Sequence, residues 1–354
     1  MAERGAWICG LGMVTAVGGN AEQTAAAVRA GINQYQESSI YNRRFEPMSL
    51  ALVPEDILPP LHGKLEGQTG LTSRHLRMLR LADPALKEAT QGLKSLDGVP
   101  IVLAGPEPIP DHPSPMGEKF PELLSIQAEV SFDVARSEIF PTGRAGGLQA
   151  LEAGIKFLEK SGQEYVVVGG VDTYLDLYLL ATLDMEDRVL ASGVMDGFAP
   201  GEGAAFVLMT SSRSGGSDGL TPLAFVYPPG FGQEAGHRYS EQTYSGDGLA
   251  EAISTAVKHA NGQPVRTVFA SLNGENLGAK EWGVAYLRNK SSFEDLHRFE
   301  HPADCFGDTG AAVGLLSIGI AVTGMRKGYL PSPSLIWCAS ERALRGAVCT
   351  AVSP

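Results

Sequence analysis

Long apolar runs bounded by glycines alternate with stretches whose apolar positions recur every three to four residues, which predicts buried strands interleaved with helices. The run "AWICGLGMVTAVG" (6–18) reads as a buried strand and turn. "NAEQTAAAVRAG" then starts a helix on Asn20 as N-cap, with Gln23 in the capping-box position and Gly31 as a stop. Residues 34–70 are Pro- and Gly-spiked and predict an irregular excursion. "SRHLRMLRLADPALKEATQGL" predicts a helix with a possible break at Pro84, followed by the strand "VPIVLAG". The prolines of "GPEPIPDHPSPMG" exclude helix and central strand and predict a loop. A strand near "SEIFP", a helix over 143–160 and the strands "EYVVVGG" and "GAAFVLMT" complete the amino half.

"SSRSGGSDG" (211–219) has the polar, flexible composition of a linker. After it the order repeats through "LAFVYPP", "GLAEAISTAVKHAN", "VRTVFASL", "AKEWGVAYLRN", a short "ADCF", the helix 309–326 and the strands "PSLIWCAS" and "RGAVCTAV". This predicts a duplicated, mostly parallel α/β unit, with halves 1–210 and 220–354. The helices 143–160 and 309–326 occupy equivalent places, open on Gly-rich turns and are apolar almost all round. Both are therefore expected in the centre of the molecule, with their glycines allowing close approach.

Composition narrows the function classes. The 354 residues carry a net charge of −12, which argues against nucleic acid or an anionic membrane as the main partner. Any anionic partner needs a local basic patch. Cys9, Cys305, Cys338 and Cys349 are widely spaced, and no stretch has the length of a membrane span or the character of a signal peptide, so a reducing cytoplasm is expected. "GDTGAA" and "GEGAA" lack the lysine of a phosphate loop and the spacing of a dinucleotide fingerprint. No metal and no cofactor are expected.

Several segments resemble β-ketoacyl synthases of the thiolase superfamily: "GLGMVTAVGGNAEQTAAAVRAGIN", "LEKSGQEYVVVGGVD", "YSGDGLAEAI", "GAAVGLLSIGIAVTGMRKGYLPSPSL" and, most specifically, "MDGFAPGEGAAFVLM" (195–209). The resemblance covers nearly the whole chain. It implies the thiolase-like fold, two βαβαβαββ halves forming a five-layered α-β-α-β-α sandwich. It also implies a homodimer, or a heterodimer with a ketosynthase, and an acyl thioester or acyl carrier protein as a further partner.

Ketosynthases use a cysteine at the opening of the central helix, where the helix end lowers the thiol pKa, and two histidines from the carboxyl half. The resemblance carries the cysteine onto Arg144, the histidines onto Asn273 and Gly307, and the lysine that precedes the second histidine onto Pro302. Residues 130–160 contain no Cys or His, and the family's terminal Gly-rich loop has no counterpart. Decarboxylative condensation is therefore not expected.

A cation at a helix N-terminus is unfavourable by a few tenths to about 1 kcal/mol unless an anion is near. Arg144 is expected either to bind a ligand anion or to pair with Asp308, Glu275 or Glu202. Asn273 is either an oxyanion donor or an Asn-Gly turn residue. Cys305, with His301 as its sequence-local base, is either a nucleophile or a buried thiol. Phe198, from the best-matching segment, joins these as a pocket candidate. Arg74, Arg77 and Arg80 repeat on one helical face, with Arg43 and Arg44 elsewhere, and form either a docking strip for an acidic carrier protein or a solvated face. Three functions are open: a non-condensing partner subunit comparable to the chain-length factors, an enzyme of different acyl chemistry in the same pocket, and an assembly protein retaining the dimer scaffold.

Overall fold

The computed structural model describes residues 4–108 and 114–352. The centre of the proline loop expected near 105–117, residues 109–113, lies outside them. The elements of the first half are β1 (Ala6–Thr15), α1 (Ala21–Arg29), β2 (Gln36–Tyr41), β3 (Pro47–Leu50), α2 (Ser73–Thr90), β4 (Pro100–Ala104), α3 (Phe120–Ala128), β5 (Asp133–Phe140), α4 (Gly146–Ser161), β6 (Tyr165–Thr173), α5 (Leu177–Met185) and β7 (Glu202–Thr210). The second half contains β8 (Ala224–Val226), β9 (Gly230–Gln233), α6 (Asp247–His259), β10 (Val265–Ala270), α7 (Asn276–Arg288), β11 (Phe293–Glu300), α8 (Ala303–Phe306), α9 (Val313–Arg326), β12 (Ser334–Ala339) and β13 (Leu344–Ala351).

The duplication is written in the strand order. The first half runs β5-β4-β6-β7-β1 and the second β11-β10-β12-β13, closed by the broken pair β8 and β9. Numbered within each half, both orders are 3-2-4-5-1. In each half the two outer contacts are parallel and those of the fifth strand antiparallel. The two expected sheets are joined into one of 11 strands, because β8 pairs with β1 on one side and β13 on the other. Helices α4 and α9 pack between the half-sheets, α2 and α3 cover the first, and α6 and α7 cover the second. These are the five layers.

The central helices share one opening. Thr142-Gly143-Arg144-Ala145 and Thr309-Gly310-Ala311-Ala312 each begin with glycine at positive φ, +68° and +50°, and make a 3-10 turn before α4 and α9. A Cβ on Gly310 would stand 2.1 Å from the Asp172 carboxylate, so that turn demands glycine. Close helix approach does not require Gly147, whose Cβ would make only an ordinary 3.5 Å contact with the Ala311 carbonyl. Helix α9 is buried nearly all round, whereas α4 exposes Lys156, Glu159 and Lys160, so all-round burial holds for the second helix alone.

Three features depart from the sequence pattern. The 34–70 excursion holds the hairpin β2–β3. Strand β11, "FEDLHRFE", is an edge strand whose charges hide its alternation. Residues 211–219 lie against the first half, with Ser217 Oγ donating to Glu164 at 2.6 Å and the Tyr165 hydroxyl donating to the Gly215 carbonyl at 2.9 Å.

Candidate functional site

The openings of α4 and α9 face each other, and Arg144 projects between them. Its side chain is 9% exposed. Nε donates to both oxygens of Asp308, at 3.2 and 2.9 Å, and Nη2 donates to the same carboxylate. Nη1 donates to Glu341 at 2.7 Å. Of the three partners expected for Arg144, Asp308 is the one found. Glu202 is instead taken by Arg77 and the Thr173 hydroxyl, and Glu275 by Arg188, which it meets at 2.7 and 2.9 Å.

The anions sit where helix electrostatics favours them. Asp308 accepts the Gly310 amide at 2.9 Å and Asp172 accepts that of Ala311 at 3.1 Å, so two carboxylates cap the turn leading into α9. From there Asp308 holds Arg144, and Asp172 holds Arg74 at 3.0 Å. The amide of Ala145, at the opening of α4, is taken by Ser340 Oγ at 3.0 Å.

The network extends outward. Arg188 Nη2 reaches Glu341 at 2.9 Å, and Arg238 bridges Glu275 at 2.9 Å and Glu341 at 3.1 Å. Arg144, Arg188 and Arg238 thus balance Asp308, Glu275 and Glu341. Asn273 Nδ2 donates to Glu275 at 3.0 Å and Asp308 at 2.9 Å, while its Oδ1 accepts the Glu275 amide. Its side chain thus shapes the Asn-Gly turn, and its amide group donates to two carboxylates of the network. Phe198 is buried beneath it, with the Arg188 guanidinium 5.4 Å from its ring centroid and Tyr174 edge-on at 5.5 Å.

Burial alone would raise the Glu341 carboxyl, but Arg144, Arg188 and Arg238 outweigh it and hold the group far below the usual carboxylate range. At Glu107 burial outweighs the Glu341 amide and the Arg144 charge, and the carboxyl is raised with help from the nearby Glu341 charge. Both arginines at the centre stay protonated: burial disfavours their charge, and Asp308, Glu275 and Glu341 more than restore it. A cavity bounded by Glu107, Arg144, Tyr174, Arg188 and Tyr239 has a volume of about 60 Å³, and a second, beside Arg238, Asn273 and Glu275, about 40 Å³. Each has room for a few waters, well below the roughly 300–1,000 Å³ typical of small-molecule sites.

The chain has counterparts in three dimensions. No family model matches the sequence, and no curated protein matches it. Among solved structures, the ishigamide ketosynthase/chain length factor superposes with a TM-score of 0.77 at 16% identity over 100% of both chains. A β-ketoacyl synthase from Burkholderia phymatum STM815 gives 0.76 at 17% identity over 99% of this chain and 100% of that one. A type II polyketide synthase complex of an acyl-carrier protein with its ketosynthase bound to the hexaketide gives 0.75 at 14% over 99% and 100%. The fold is the thiolase-like fold of ketosynthases.

On the ketosynthase fold the remaining candidates separate. Gly307 has no side chain and admits none, since a Cβ there would lie 2.7 Å from the Ala199 carbonyl and φ is +71°. Its neighbour Asp308 carries the carboxylate that meets Arg144 and Asn273. Cys305 sits in α8 within the apolar core, where burial, followed by the charges of Asp304 and Glu300, pushes its thiol up to about 11. His301 is turned to Asp304, 2.7 Å away. Burial and these charges oppose a thiolate at Cys305, and the hydrogen-bonding partner of His301 is Asp304.

The basic face of α2 points inward. Arg74 is bound to Asp172, Arg77 to Glu202 and Glu55, and Arg80 to Glu55 and the Pro59 carbonyl. Arg43 and Arg44 share Asp187. The α2 arginines are thus engaged within the chain, while Arg43 and Arg44 stay exposed beside Asp187. Glu107, Arg188, Arg238 and Glu341 escape sequence reasoning, although a charge closing an apolar strand, as in "LIWCASE", is a signal for Glu341. No helix among the described residues is long and apolar enough to cross a membrane, and no group of His, Cys, Asp and Glu among them is arranged to hold a metal.

Proposed function

We propose that this chain is a non-condensing partner subunit of ketosynthase fold, comparable to a chain length factor and belonging to fatty acid or polyketide synthesis. The observation that carries the reading is Arg144, clamped by Asp308 and Glu341 at the opening of the central helix. By resemblance that is the position of the nucleophile, and Asn273 and Gly307 stand for the two histidines. A guanidinium with its donors spent on carboxylates cannot attack a thioester, and Asn273 and Gly307 supply no imidazole to stabilise an enolate. The halves 1–210 and 220–354, joined through 211–219, are read as one scaffold, because a single sheet runs through both.

The partner is a second ketosynthase-fold chain, either a copy of this one or an intact enzyme. Strand β5 supports this: it ends the sheet, pairs only with β4 among the described residues, and by resemblance lies at the dimer interface. Four free thiols support a reducing compartment such as the cytoplasm. The assembly-scaffold reading has its own support in the 60 Å³ cavity, too small for an acyl chain. Different acyl chemistry through Cys305 has none.

The test is native mass spectrometry of the chain alone and mixed with an intact ketosynthase, followed by product analysis of the mixture. A heterodimer whose products differ from those of the ketosynthase alone is expected. A chain that stays monomeric in both samples overturns the partner reading, and a heterodimer with unchanged products leaves the scaffold.

A further inference from the structure

Two larger cavities open at the other end of α9, where α1, the last turn of α2 and strand β1 meet. Their volumes are about 430 and 520 Å³, and they share Leu223 and Arg326 as a common wall. Each falls in the size range of small-molecule sites, unlike the space beside Arg144.

The groove has a topological cause. Ile8 of β1 pairs with Met209 and Gly10 with Leu208, so Cys9 is looped out as a bulge. Strand β8 covers β1 only over Ala6–Ile8. Beyond that cover, Cys9, Gly10 and Leu11 of β1 line the groove, and Leu11, Leu208, Leu220, Leu223 and Met325 supply its apolar side chains.

Its rim is cationic in an acidic protein. Among the described residues, every arginine has a carboxylate within ion-pair distance except Arg29, Arg213, Arg326 and Arg342. Two of these four line the groove. Arg213 lies over the Trp7 ring at 5.7 Å, and Arg326 donates only to the Pro222 carbonyl at 3.2 Å. Glu22, the acidic residue on the rim, is engaged by Lys327 at 3.2 Å, and Glu88 by the amides of Met13 and Ala21. Unpaired guanidiniums over an apolar trough complement one chemistry: an anionic head and a hydrocarbon tail.

We propose that this groove binds a single-chain anionic amphiphile, with a carboxylate or phosphate head held by Arg213 and Arg326 and the chain lying against Leu11, Leu208 and Leu223. It is separate from the ion network, which lies at the opposite end of α9, and does not depend on the partner reading.

Isothermal titration calorimetry of the full chain with decanoate, decyl phosphate and uncharged decanol, all below their aggregation concentrations, tests this. One equivalent of an anion is expected to bind, with at least about tenfold loss of affinity in Arg213→Ala/Arg326→Ala, the scale of one charge-assisted hydrogen bond. Leu223→Trp, which fills the shared wall, should give a similar loss, and Arg288→Ala on α7 none. Whichever of decanoate and decyl phosphate binds tighter identifies the head group. Decanol binding as tightly as both anions, unchanged affinity in the double variant, or no saturable binding to a wild-type chain of native circular dichroism overturns the proposal.

Discussion

Arg144 Nε lies 2.9 Å from Asp308 Oδ2, across 164 positions of sequence, and this contact ties the opening of one central helix to the opening of the other. Charge removal here should be costly. Arg144→Ala leaves Asp308 buried without its cation, while Glu341 keeps Arg188 and Arg238, and breaking a buried pair of this kind costs about 3–5 kcal/mol. Urea unfolding should show that loss as a lower midpoint at unchanged slope. Asp308→Asn in the Arg144→Met background should cost much less than the sum of the two single changes, because no uncompensated charge remains between them.

Restoring the family's chemical groups should not restore chemistry. Arg144→Cys places a thiol beside Asp308 and Glu341, whose negative charge opposes thiolate formation. Gly307→His forces a Cβ against the Ala199 carbonyl, 2.7 Å away. Arg144→Cys/Asn273→His is expected to fold and yet release no CO₂ from a malonyl thioester, and the addition of Gly307→His is expected to lower the thermal midpoint.

Acid should unlock the network. The Glu341 carboxyl titrates far lower in the folded chain than the ordinary glutamate value of about 4.3, so its contribution to stability is complete above that pH and falls as the pH drops towards 2. Glu107 has the opposite sign: its raised carboxyl favours the folded state at low pH and loses that advantage as pH rises. Stability measured from pH 6 to 2 should therefore fall less steeply in Glu341→Gln than in the wild type, and Glu107→Gln should gain relative to wild type towards neutral pH.

Much of the scaffold was legible in the chain. Glycine-bounded apolar runs located the strands β1, β4, β6, β7, β10, β12 and β13, because buried strands write themselves as continuous hydrophobic sequence. The charged edge strand β11 and the hairpin β2–β3 were not, since neither has two apolar neighbours to demand such a run. Asp308 could be named as a partner of Arg144 because one proximity was implied by resemblance. Arg188, Arg238 and Glu341 could not, because long-range ion pairing leaves no period. The arginines of α2 show the same limit: spaced like a surface stripe, two of them meet carboxylates that arrive from β6 and β7, 98 and 125 positions away.

The most direct measurement of the central claim is intact mass of the chain after incubation with acyl- and malonyl-thioesters, with CO₂ release recorded in parallel. The network of Arg144, Asp308 and Glu341 predicts an unmodified mass and no CO₂ above the thioester blank. A covalent acyl adduct, or malonyl decarboxylation that disappears in Arg144→Ala, would contradict it.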